Sequence, residues 1–427
     1  MKPRALAATA LAAVVSGHSL HRILPDILSK APPERRPLVS ELVHGTLREW
    51  PRMNAIAEAL LSKPLKAKDT DIYCLVLLGL YQLDCMRVPP HAVVSETVNG
   101  VKDLRKVWAR GLVNGLLRSY QRDQDAVNGA LSDAARAALP DWWWREIGKQ
   151  WPDDRNNIAT AYRSHPSFTL RINSLREQQA SYLQRLEAAD IAFSTLESHD
   201  HAVTITTPIN VVDVPGFNEG IVSVQDASAQ LAAPLLDLQP GEHVLDACSA
   251  PGGKACHMAE LQPDARIIAA DSSLERLTRV QENSDRLGLT LDLQQVDATV
   301  ALEHFGANAF DAILADVPCS ASGVVRRNPD IKVLRTPDDI HRFAEQQKDI
   351  VTGLWPTLKP GGRLLYVTCS IFEEENDDVV EHCLAHLPDA TLVAISTPDG
   401  RSTRMGSQQL PSLTSDGLFF ALIRRST

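Results

Sequence analysis

Two cysteines each stand directly after an apolar run that predicts a buried strand. Cys319 lies in the sequence Asp-Val-Pro-Cys and Cys369 in Thr-Cys-Ser, and the two predicted strands are consecutive in the chain. An ionised thiol is a strong nucleophile, and a second thiol beside it can move a proton. A single buried cysteine is more often inert packing, but two at neighbouring strand ends indicate covalent catalysis.

The chemistry that suits such a pair is methylation of carbon 5 of a cytosine. Because the ring is aromatic, carbon 5 is a poor nucleophile until a thiolate adds at carbon 6 and shifts electron density onto it. Carbon 5 can then take a methyl group from a sulfonium donor, and a base must remove its proton so that the cysteine is expelled. This chemistry does not by itself order the two thiols, since DNA cytosine methyltransferases attack with the Pro-Cys thiol.

A glycine-rich turn follows the first predicted strand of the same region and predicts a cofactor site. It comprises Cys248, Ser249, Ala250, Pro251, Gly252, Gly253 and Lys254, after which a helix is predicted. The two glycines allow backbone amides to approach a ligand, and the helix N-terminus together with Lys254 favours a carboxylate. The spacing matches neither the Gly-x-Gly-x-x-Gly dinucleotide motif nor the phosphate-binding loop of nucleotide hydrolases.

Acidic residues follow the next three predicted strands. Asp271 stands 18 residues after Gly253, where a carboxylate can accept hydrogen bonds from ribose hydroxyls. Asp297 could meet the exocyclic amine of adenine, and Asp316 follows the fourth strand. Each acid alone is better explained as a helix cap, but together with the glycine turn they predict a nucleoside-bearing cofactor.

A basic loop follows Cys319 and predicts contact with a nucleic-acid substrate. Arg326, Arg327 and Lys332 are available there for phosphates or base edges. A target base must leave its stack to reach a catalytic cleft, so such contacts are needed close to the thiols. A solvated basic surface is the alternative. Further on, residues 373–376, three acids followed by Asn376, predict a cap for the next helix.

The elements that position these residues fall into three predicted domains, at 1–125, 126–218 and 219–427. Helical periodicity up to about residue 121 predicts an all-α bundle, and a linker helix with a small α+β region follows. The last domain alternates strands and helices, which predicts a parallel sheet with right-handed crossovers. Its strands are predicted at 242–247, 266–270, 291–296, 310–315 and 363–368, with a last antiparallel strand at the sheet edge at 418–423.

Charge is unevenly distributed along the 427 residues, whose formal net charge is −10. Residues 1–125 contain 18 Lys and Arg against 12 Asp and Glu, or +6, and the remainder therefore carries −16. The net charge excludes a protein that coats nucleic acid without specificity. The basic front suits RNA contact through one domain, although ordinary surface variation explains it equally well.

The cysteine spacing and the hydropathy bear on location. The seven cysteines show no Cys-x-x-Cys spacing, so neither a metal site nor a disulfide framework is predicted. Reduced thiols, without an apolar run of membrane-spanning length, predict a cytoplasmic protein that contacts no membrane. The apolar residues 5–15 look like a leader peptide, but their helical spacing continues to residue 27 and favours an amphipathic helix. Nothing predicts an obligate interface, so a monomer is expected.

These motifs resemble those of the RNA (cytosine-5) methyltransferases of the Fmu/Sun type. In the rear half the resemblance rests on Asp246, Ser249 to Lys254, Asp316-Val-Pro-Cys319, Arg326-Arg-Asn-Pro-Asp330, Thr368-Cys-Ser370 and Glu374-Glu-Asn376. The front half is similar to the NusB-like RNA-binding domain at Gly79-Leu-Tyr-Gln-Leu83, Val88-Pro-Pro-His-Ala92, Glu96-Thr-Val98 and Gly111-Leu-Val-Asn-Gly-Leu-Leu-Arg118. The resemblance covers essentially the whole chain.

The resemblance implies a multidomain enzyme with a NusB-like all-α bundle, a small α+β region and a Rossmann-like class I methyltransferase domain. It implies that S-adenosyl-L-methionine binds at residues 248–254, Asp271, Asp297 and Asp316, that Cys369 is the nucleophile, and that Cys319 assists product release. The implied partner is RNA rather than DNA, and the implied product is 5-methylcytosine at position 967 of 16S rRNA. Two alternatives stay open: the same chemistry on tRNA or another rRNA cytosine, and a non-catalytic NusB-like RNA-binding scaffold.

Overall fold

The computed structural model describes residues 1–196 and 199–427, which divide into two compact units. The first unit comprises Met1–His165 and Val325–Thr336, and the second comprises Pro166–Val324 and Pro337–Thr427. The first unit therefore extends past the boundary predicted near residue 125. It also takes in a short segment from within the predicted catalytic domain.

The first unit is all-α, as its periodicity predicts. Its helices are α1 (Pro3–Val15), α2 (Leu20–Ser29), α3 (Arg36–Arg48), α4 (Trp50–Leu60), α5 (Thr70–Cys85), α6 (Pro90–Asp103), α7 (Arg110–Gly129), α8 (Asp133–Arg136), α9 (Asp141–Gln150), α10 (Arg155–Arg163) and, from later in the chain, α16 (Ile331–Leu334).

Helix α5 lies in the core of this unit because its sequence is apolar on nearly every face. Its residues Leu75 and Leu78 are fully buried. The N-terminal segment forms the predicted helix α1, in which Pro3 occupies the first turn, where a missing amide proton costs nothing. Alanines such as Ala8 are also fully buried, and their small side chains allow α1 to pack closely against α5.

The second unit begins with a small antiparallel sheet, and the predicted α+β region is confirmed. Its strands are β1 (Phe168–Ile172), β2 (Phe193–Thr195), β3 (Ala202–Ile205) and β4 (Val222–Val224), in the order β2-β3-β1-β4. Helix α11 (Gln179–Ala188) packs on this sheet, and its Tyr182 and Leu186 share a buried cluster with Leu170 and Ile172.

The rest of the second unit is a large mixed sheet with helices around it. The strands are β5 (His243–Asp246), β6 (Arg266–Asp271), β7 (Asp292–Gln295), β8 (Phe310–Asp316), β9 (Leu358–Thr368), β10 (Ala390–Val393), β11 (Arg401–Ser402), β12 (Ser407–Gln409) and β13 (Leu418–Arg425). The helices are α12 (Ala232–Leu236), α13 (Gly253–Leu261), α14 (Leu274–Leu287), α15 (Ala301–Phe305), α17 (Pro337–Leu354) and α18 (Asp377–His386).

The predicted parallel core of this sheet is confirmed. Its order is β11-β12-β13-β9-β8-β5-β6-β7, and β9, β8, β5, β6 and β7 pair in parallel. The prediction that the last strand forms the edge is wrong. Strand β13 pairs antiparallel with β9 on one side, while β12 and β10 pair with its other side. An inner position fits the burial of Phe419 and Phe420, since edge strands are usually short or charged.

A buried ion pair joins the small sheet to the large one within the second unit. Arg171 on β1 donates from Nη2 and Nε to the two carboxylate oxygens of Glu260 on α13, at 2.7 and 2.8 Å. Both side chains are 1% exposed. Nη1 of Arg171 also donates to the Gly253 carbonyl at 2.8 Å and to Gln225. The small sheet therefore holds the first residue of α13 as well as its far end.

We predict that Arg171→Met lowers the free energy of unfolding of the second unit by about 3–5 kcal/mol, because Glu260 is left buried without its partner. Hydrogen exchange of α13 amides over a urea series measures this change. The matched control is Arg185→Met, whose exposed pair with Glu177 contributes about 0–1 kcal/mol. The double variant Arg171→Met/Glu260→Met should recover part of the loss, and a single variant as stable as the control would contradict the prediction.

Candidate active site

The glycine-rich turn connects β5 to α13 at the carboxyl end of the parallel strands. Gly252 has φ +95°, a left-handed conformation that favours glycine, and a Cβ there would meet Val280 on α14 at 3.0 Å. Helix α13 begins at the next residue, Gly253. The turn therefore points the free amides of a helix N-terminus to the edge of the sheet where ligands of such folds bind.

The three predicted acids lie at the ends of β6, β7 and β8, but they differ in environment. Asp271 is 1% exposed and accepts hydrogen bonds from the amides of Ala250 and Ser273. Asp297 is exposed, and its Oδ1 caps the following turn at the amide of Thr299. The cap that the sequence left as an alternative is thus present at Asp297 and also at Asp271, but Asp271 in addition bonds the glycine turn at Ala250.

Asp316 connects the cofactor turn to the thiols. Its Oδ2 accepts a hydrogen bond from Nζ of Lys254 at 2.5 Å. Burial lowers the pKa of Lys254, but the negative charges of Asp316 and of an ionised Cys369 more than offset this, and the net pKa is raised. A positive charge is therefore held beside the carboxylate at the end of β8, within electrostatic reach of the Cys369 sulfur.

Buried polar groups with poorly satisfied hydrogen bonding lie at the start of the turn. Asp246, the last residue of β5, is 1% exposed, and its contacts with the Ser249 hydroxyl and the Cys248 amide fall short of good hydrogen-bond geometry. Burial, followed by the charge of Asp316, raises the pKa of Asp246 to about 7. Unsatisfied polar groups in such a place are expected where a ligand completes the hydrogen bonding.

The two thiols lie together, as the adjacency of their strands predicts. β8 and β9 are parallel neighbours with Asp316 opposite Val367, and the sulfur atoms of Cys319 and Cys369 are 3.3 Å apart. The hydrogen bond with Cys369, together with burial, raises the pKa of the Cys319 thiol well above its ordinary value. Cys319 is buried and Cys369 is partly exposed. The arrangement keeps a proton on Cys319 and leaves the Cys369 sulfur accessible.

One carboxylate holds both cysteine loops. Glu375 Oε1 accepts a hydrogen bond from the amide of Ser320 at 2.6 Å, and Oε2 accepts one from the hydroxyl of Ser370 at 2.6 Å. These serines are the residues that directly follow Cys319 and Cys369. Glu375 is fully buried, and burial raises its pKa.

The prediction that residues 373–376 cap the next helix is therefore wrong for Glu375. α18 begins two residues later with no side-chain cap. One partner of Glu375, Ser370, is five residues away in the chain, but the other, Ser320, is 55 residues away, and local spacing carried no signal of that contact. The sequence motifs therefore include Glu375 but did not identify its role.

The basic residues of the predicted RNA-binding loop belong to the first unit. Lys332 is 4% exposed, and its Nζ donates to the carbonyls of Arg48 and Ala138 at 2.8 and 3.0 Å. Arg326 is 1% exposed, and Arg327 is half-buried. Lys332 and Arg326 are buried in the first unit, so the expected contact with phosphates does not fit them. For Arg327 this contact stays a prediction.

Comparison with known proteins agrees with this architecture. Residues 233–424 match the model of the 16S rRNA methyltransferase RsmB/F family, residues 1–122 the NusB family, and residues 139–212 the ferredoxin-like domain of RsmF/B-like methyltransferases. Ribosomal RNA small subunit methyltransferase B of Pseudomonas syringae pv. tomato is 44% identical over 94% of this chain and 90% of its own. The chain belongs to the RsmB/F family of 16S rRNA methyltransferases.

A second relative supports the family over the full length, and a solved structure shares the fold. Ribosomal RNA small subunit methyltransferase B of Vibrio cholerae is 43% identical over 100% of this chain and 98% of its own. The crystal structure of the protein PH0851 has the same fold, with a TM-score of 0.82 and 21% identity over 100% of this chain and 99% of that one. The chain is therefore an RNA methyltransferase with a NusB-like helical domain, a ferredoxin-like domain and a Rossmann-like catalytic domain.

We predict that Glu375→Ala lowers kcat for methyl transfer by on the order of 10- to 100-fold, because misplacing reacting groups by about 1 Å costs that much. Cofactor affinity, measured by calorimetry, should change little, since the glycine turn is untouched. The neighbouring variant Glu374→Ala removes a half-buried carboxylate that pairs with His341, and as the matched control it should keep full activity. Glu375→Gln keeps one carbonyl acceptor and should restore part of the rate. If all three variants have equal kcat, Glu375 does not position the thiols.

Lys332 predicts a pH dependence of stability in the first unit. Burial lowers its pKa from 10.5 to about 7, so between these values the unfolded chain binds a proton that the native side chain does not. Its contribution to stability therefore rises with pH across that window, and below about pH 7 the full cost of the buried charge remains. We expect the free energy of unfolding of Lys332→Met to increase relative to that of wild type, by up to a few kcal/mol, as pH falls from 10.5 to 7.

Thermal unfolding of Lys332→Met and of wild type over this pH range measures the difference. The exposed Lys63→Met is the control, because it removes the same charge from the surface. A stability difference that does not vary with pH would show that Lys332 is charged in the native state.

Proposed function

We propose that this RNA methyltransferase methylates carbon 5 of a cytosine in 16S rRNA, at position 967, through a covalent adduct between Cys369 and carbon 6 of the base. The observation that carries the proposal is the 3.3 Å contact of the two sulfur atoms beside the Lys254–Asp316 pair. Position 967 is supported by the resemblance of the motifs and by the family. A methyltransferase acting on a nitrogen or hydroxyl has no need of paired thiols.

The residues present fit S-adenosyl-L-methionine as the cofactor. The amides at the start of α13 suit a carboxylate, and the buried Asp271 suits ribose hydroxyls. Oδ2 of Asp297 lies at the next strand end, where it suits the adenine amine. The unsatisfied acceptors Asp246 and Ser249 fit a ligand with several donors. When bound, S-adenosyl-L-methionine supplies an electrophilic methyl group at this edge of the sheet.

Cys369 is the better nucleophile of the two. Cys319 is buried and keeps its proton, since its pKa is raised by the hydrogen bond with Cys369 and by burial. Cys369 is partly exposed, and the ammonium of Lys254 lies near its sulfur. The thiolate of Cys369 then forms a bond to carbon 6, and the electron pair displaced from the ring becomes available at carbon 5.

Release of the product reverses the first bond. After carbon 5 has gained its methyl group, its proton must leave so that the electron pair re-forms the ring double bond and expels the Cys369 thiolate. Cys319 lies 3.3 Å from the departing sulfur, and we assign it to this step, in which it assists proton movement. The two cysteines thus have different roles although they occupy one site.

The two roles predict different outcomes for matched variants. Cys369→Ala should abolish methyl transfer, whereas Cys319→Ala should accumulate a covalent protein–RNA adduct that migrates slowly in a denaturing gel. Binding of S-adenosyl-L-methionine, followed by calorimetry, should persist in both. Cys85→Ala, which removes an exposed thiol from the first unit, is the control and should behave as wild type. Full activity of Cys369→Ala would contradict the assignment, as would an adduct that needs Cys319.

The target cytosine is decided by sequencing RNA. Bisulfite sequencing of total RNA from a deletion strain should show one unmethylated cytosine in 16S rRNA, at position 967, and its methylation should return with wild type but not with Cys369→Ala. Loss of methylation in tRNA or at another rRNA position would replace the proposed target.

No helix in the described parts of the chain is long and apolar enough to cross a membrane. We propose a cytoplasmic location because that is where its rRNA substrate lies.

A further inference from the structure

A hairpin outside the parallel core of the large sheet reaches the turn that carries Cys369. Strands β11 and β12 form this hairpin, and β12 pairs antiparallel with β13, with Gln408 opposite Phe419. Phe419 in turn lies opposite Thr368, the residue before Cys369. Gln408 therefore stands two strands from the end of β9, on a segment outside the sequence motifs that identified the site.

Two buried carboxamides, those of Asn376 and Gln408, bond the residues on either side of Cys369. Nδ2 of Asn376 and Nε2 of Gln408 both donate to the Ser370 carbonyl, at 3.1 and 3.2 Å. Oδ1 of Asn376 accepts a hydrogen bond from the Thr368 hydroxyl at 2.6 Å, and that hydroxyl accepts one from the Ser370 amide at 3.2 Å. Asn376 is 2% exposed and Gln408 is 1% exposed. The backbone before and after Cys369 is therefore held by side chains that are shielded from water.

Gln408 also fixes the orientation of the Asn376 amide. Nδ2 of Asn376 donates to Oε1 of Gln408 at 2.9 Å as well as to Ser370, so a flipped amide would place its oxygen against two acceptors. The amide of Gln408 is itself fixed, because its Nε2 donates to the Gln409 carbonyl at 2.9 Å. Each amide thus needs a donor and an acceptor in fixed places, a requirement that packing alone does not impose.

The turn of the hairpin is held by the residue next to Asn376. Oδ1 of Asp377, the first residue of α18, accepts hydrogen bonds from the Thr403 hydroxyl at 2.7 Å and from the Met405 amide at 2.8 Å. Asp377 is 4% exposed. Because these bonds fix the turn of the hairpin on α18, they also fix the place at which β12 brings Gln408 to the Cys369 turn.

We propose that Gln408 is a positioning residue for methyl transfer, which acts on Cys369 through Asn376 and the Ser370 carbonyl. The β11–β12 hairpin thus supports the nucleophile from outside the parallel core. This role differs from that of Glu375, which bonds both cysteine loops, because Gln408 fixes the turn at Cys369 alone. The inference rests on the proposed function in taking Cys369 as the nucleophile.

The test removes the hydrogen bonds of Gln408 and keeps the length of its side chain. In the full-length protein, Gln408→Met should lower the single-turnover rate of methyl transfer to a 16S rRNA transcript on the order of 10- to 100-fold, because the Cys369 turn can then shift by about 1 Å. Affinities for RNA and for S-adenosyl-L-methionine should change little. Rates are normalised to the concentration of cofactor-binding sites, measured by calorimetry, so that misfolded protein does not count as lost activity.

The matched control is Gln409→Met, at the next residue of β12. Gln409 is also buried, but its amide donates to the Thr397 hydroxyl and the Pro398 carbonyl, which are not part of the Cys369 turn. This variant should lose stability as Gln408→Met does and keep the wild-type rate. Equal rates in the two variants would overturn the proposal. Asn376→Ala/Gln408→Met should be no slower than Asn376→Ala, since the two amides act as one unit.

A second readout needs no RNA. Diamide accepts two electrons and two protons when the Cys319 and Cys369 thiols join as a disulfide, and the rate of joining depends on how the two sulfur atoms are placed. In a Cys85→Ala background, which removes the exposed thiol, Gln408→Met should slow this reaction about tenfold and Gln409→Met should not, as measured by mass spectrometry of the linked peptides.

The two readouts separate the inference from the proposed function. Slower methylation of Gln408→Met with an unchanged disulfide rate would overturn the positioning role. If wild type fails to methylate 16S rRNA while the disulfide rates differ as expected, the proposed function fails and the positioning of Cys369 by the hairpin stands.

Discussion

The contact between Cys319 and Cys369 exists because β8 and β9 are parallel neighbours whose carboxyl ends meet at one edge of the sheet. Parallel pairing alone places two loops side by side, but it does not hold two sulfur atoms at 3.3 Å. Glu375 does this by accepting one hydrogen bond from the residue after each cysteine. A single buried carboxylate thus converts the adjacency of two strands into a fixed distance between two reactive groups.

The ionisable groups at this edge of the sheet differ in whether an oppositely charged side chain is bonded to them. Lys254 pairs with Asp316 and lies near Cys369, so one cation serves both the glycine turn and the thiol. Asp246, which has no such partner, is buried and has a raised pKa. Burial raises the pKa of Asp246 and contributes to the raised pKa of Cys319, whereas the carboxylate of Asp316 raises the pKa of Lys254 and so favours its charged form.

The small antiparallel sheet fixes the position of helix α13, which follows the glycine turn. Arg171 binds the carbonyl of Gly253 and the carboxylate of Glu260, so both ends of α13 are fixed from β1. A buried guanidinium is stable there because four hydrogen bonds, to Glu260, Gln225 and the Gly253 carbonyl, replace those it would make with water. The ferredoxin-like domain is thus part of the structure that shapes the glycine turn, in addition to any role in binding substrate.

The sequence by itself determined the features that depend on local pattern. The period of apolar residues identified the all-α front and the parallel strands, and strand ends identified Cys319, Cys369 and the turn from Cys248 to Lys254 as members of one site. Three features were decided only by the tertiary structure: the inner position of β13, the anchoring of Lys332 in the first unit, and the bridging role of Glu375. Each depends on contacts between residues far apart in the chain, and such contacts leave no periodicity or spacing in the sequence. Reactive residues at strand ends can be predicted from the sequence, because the strand pattern is local. Whether a charged side chain is buried depends on which distant residues pack against it.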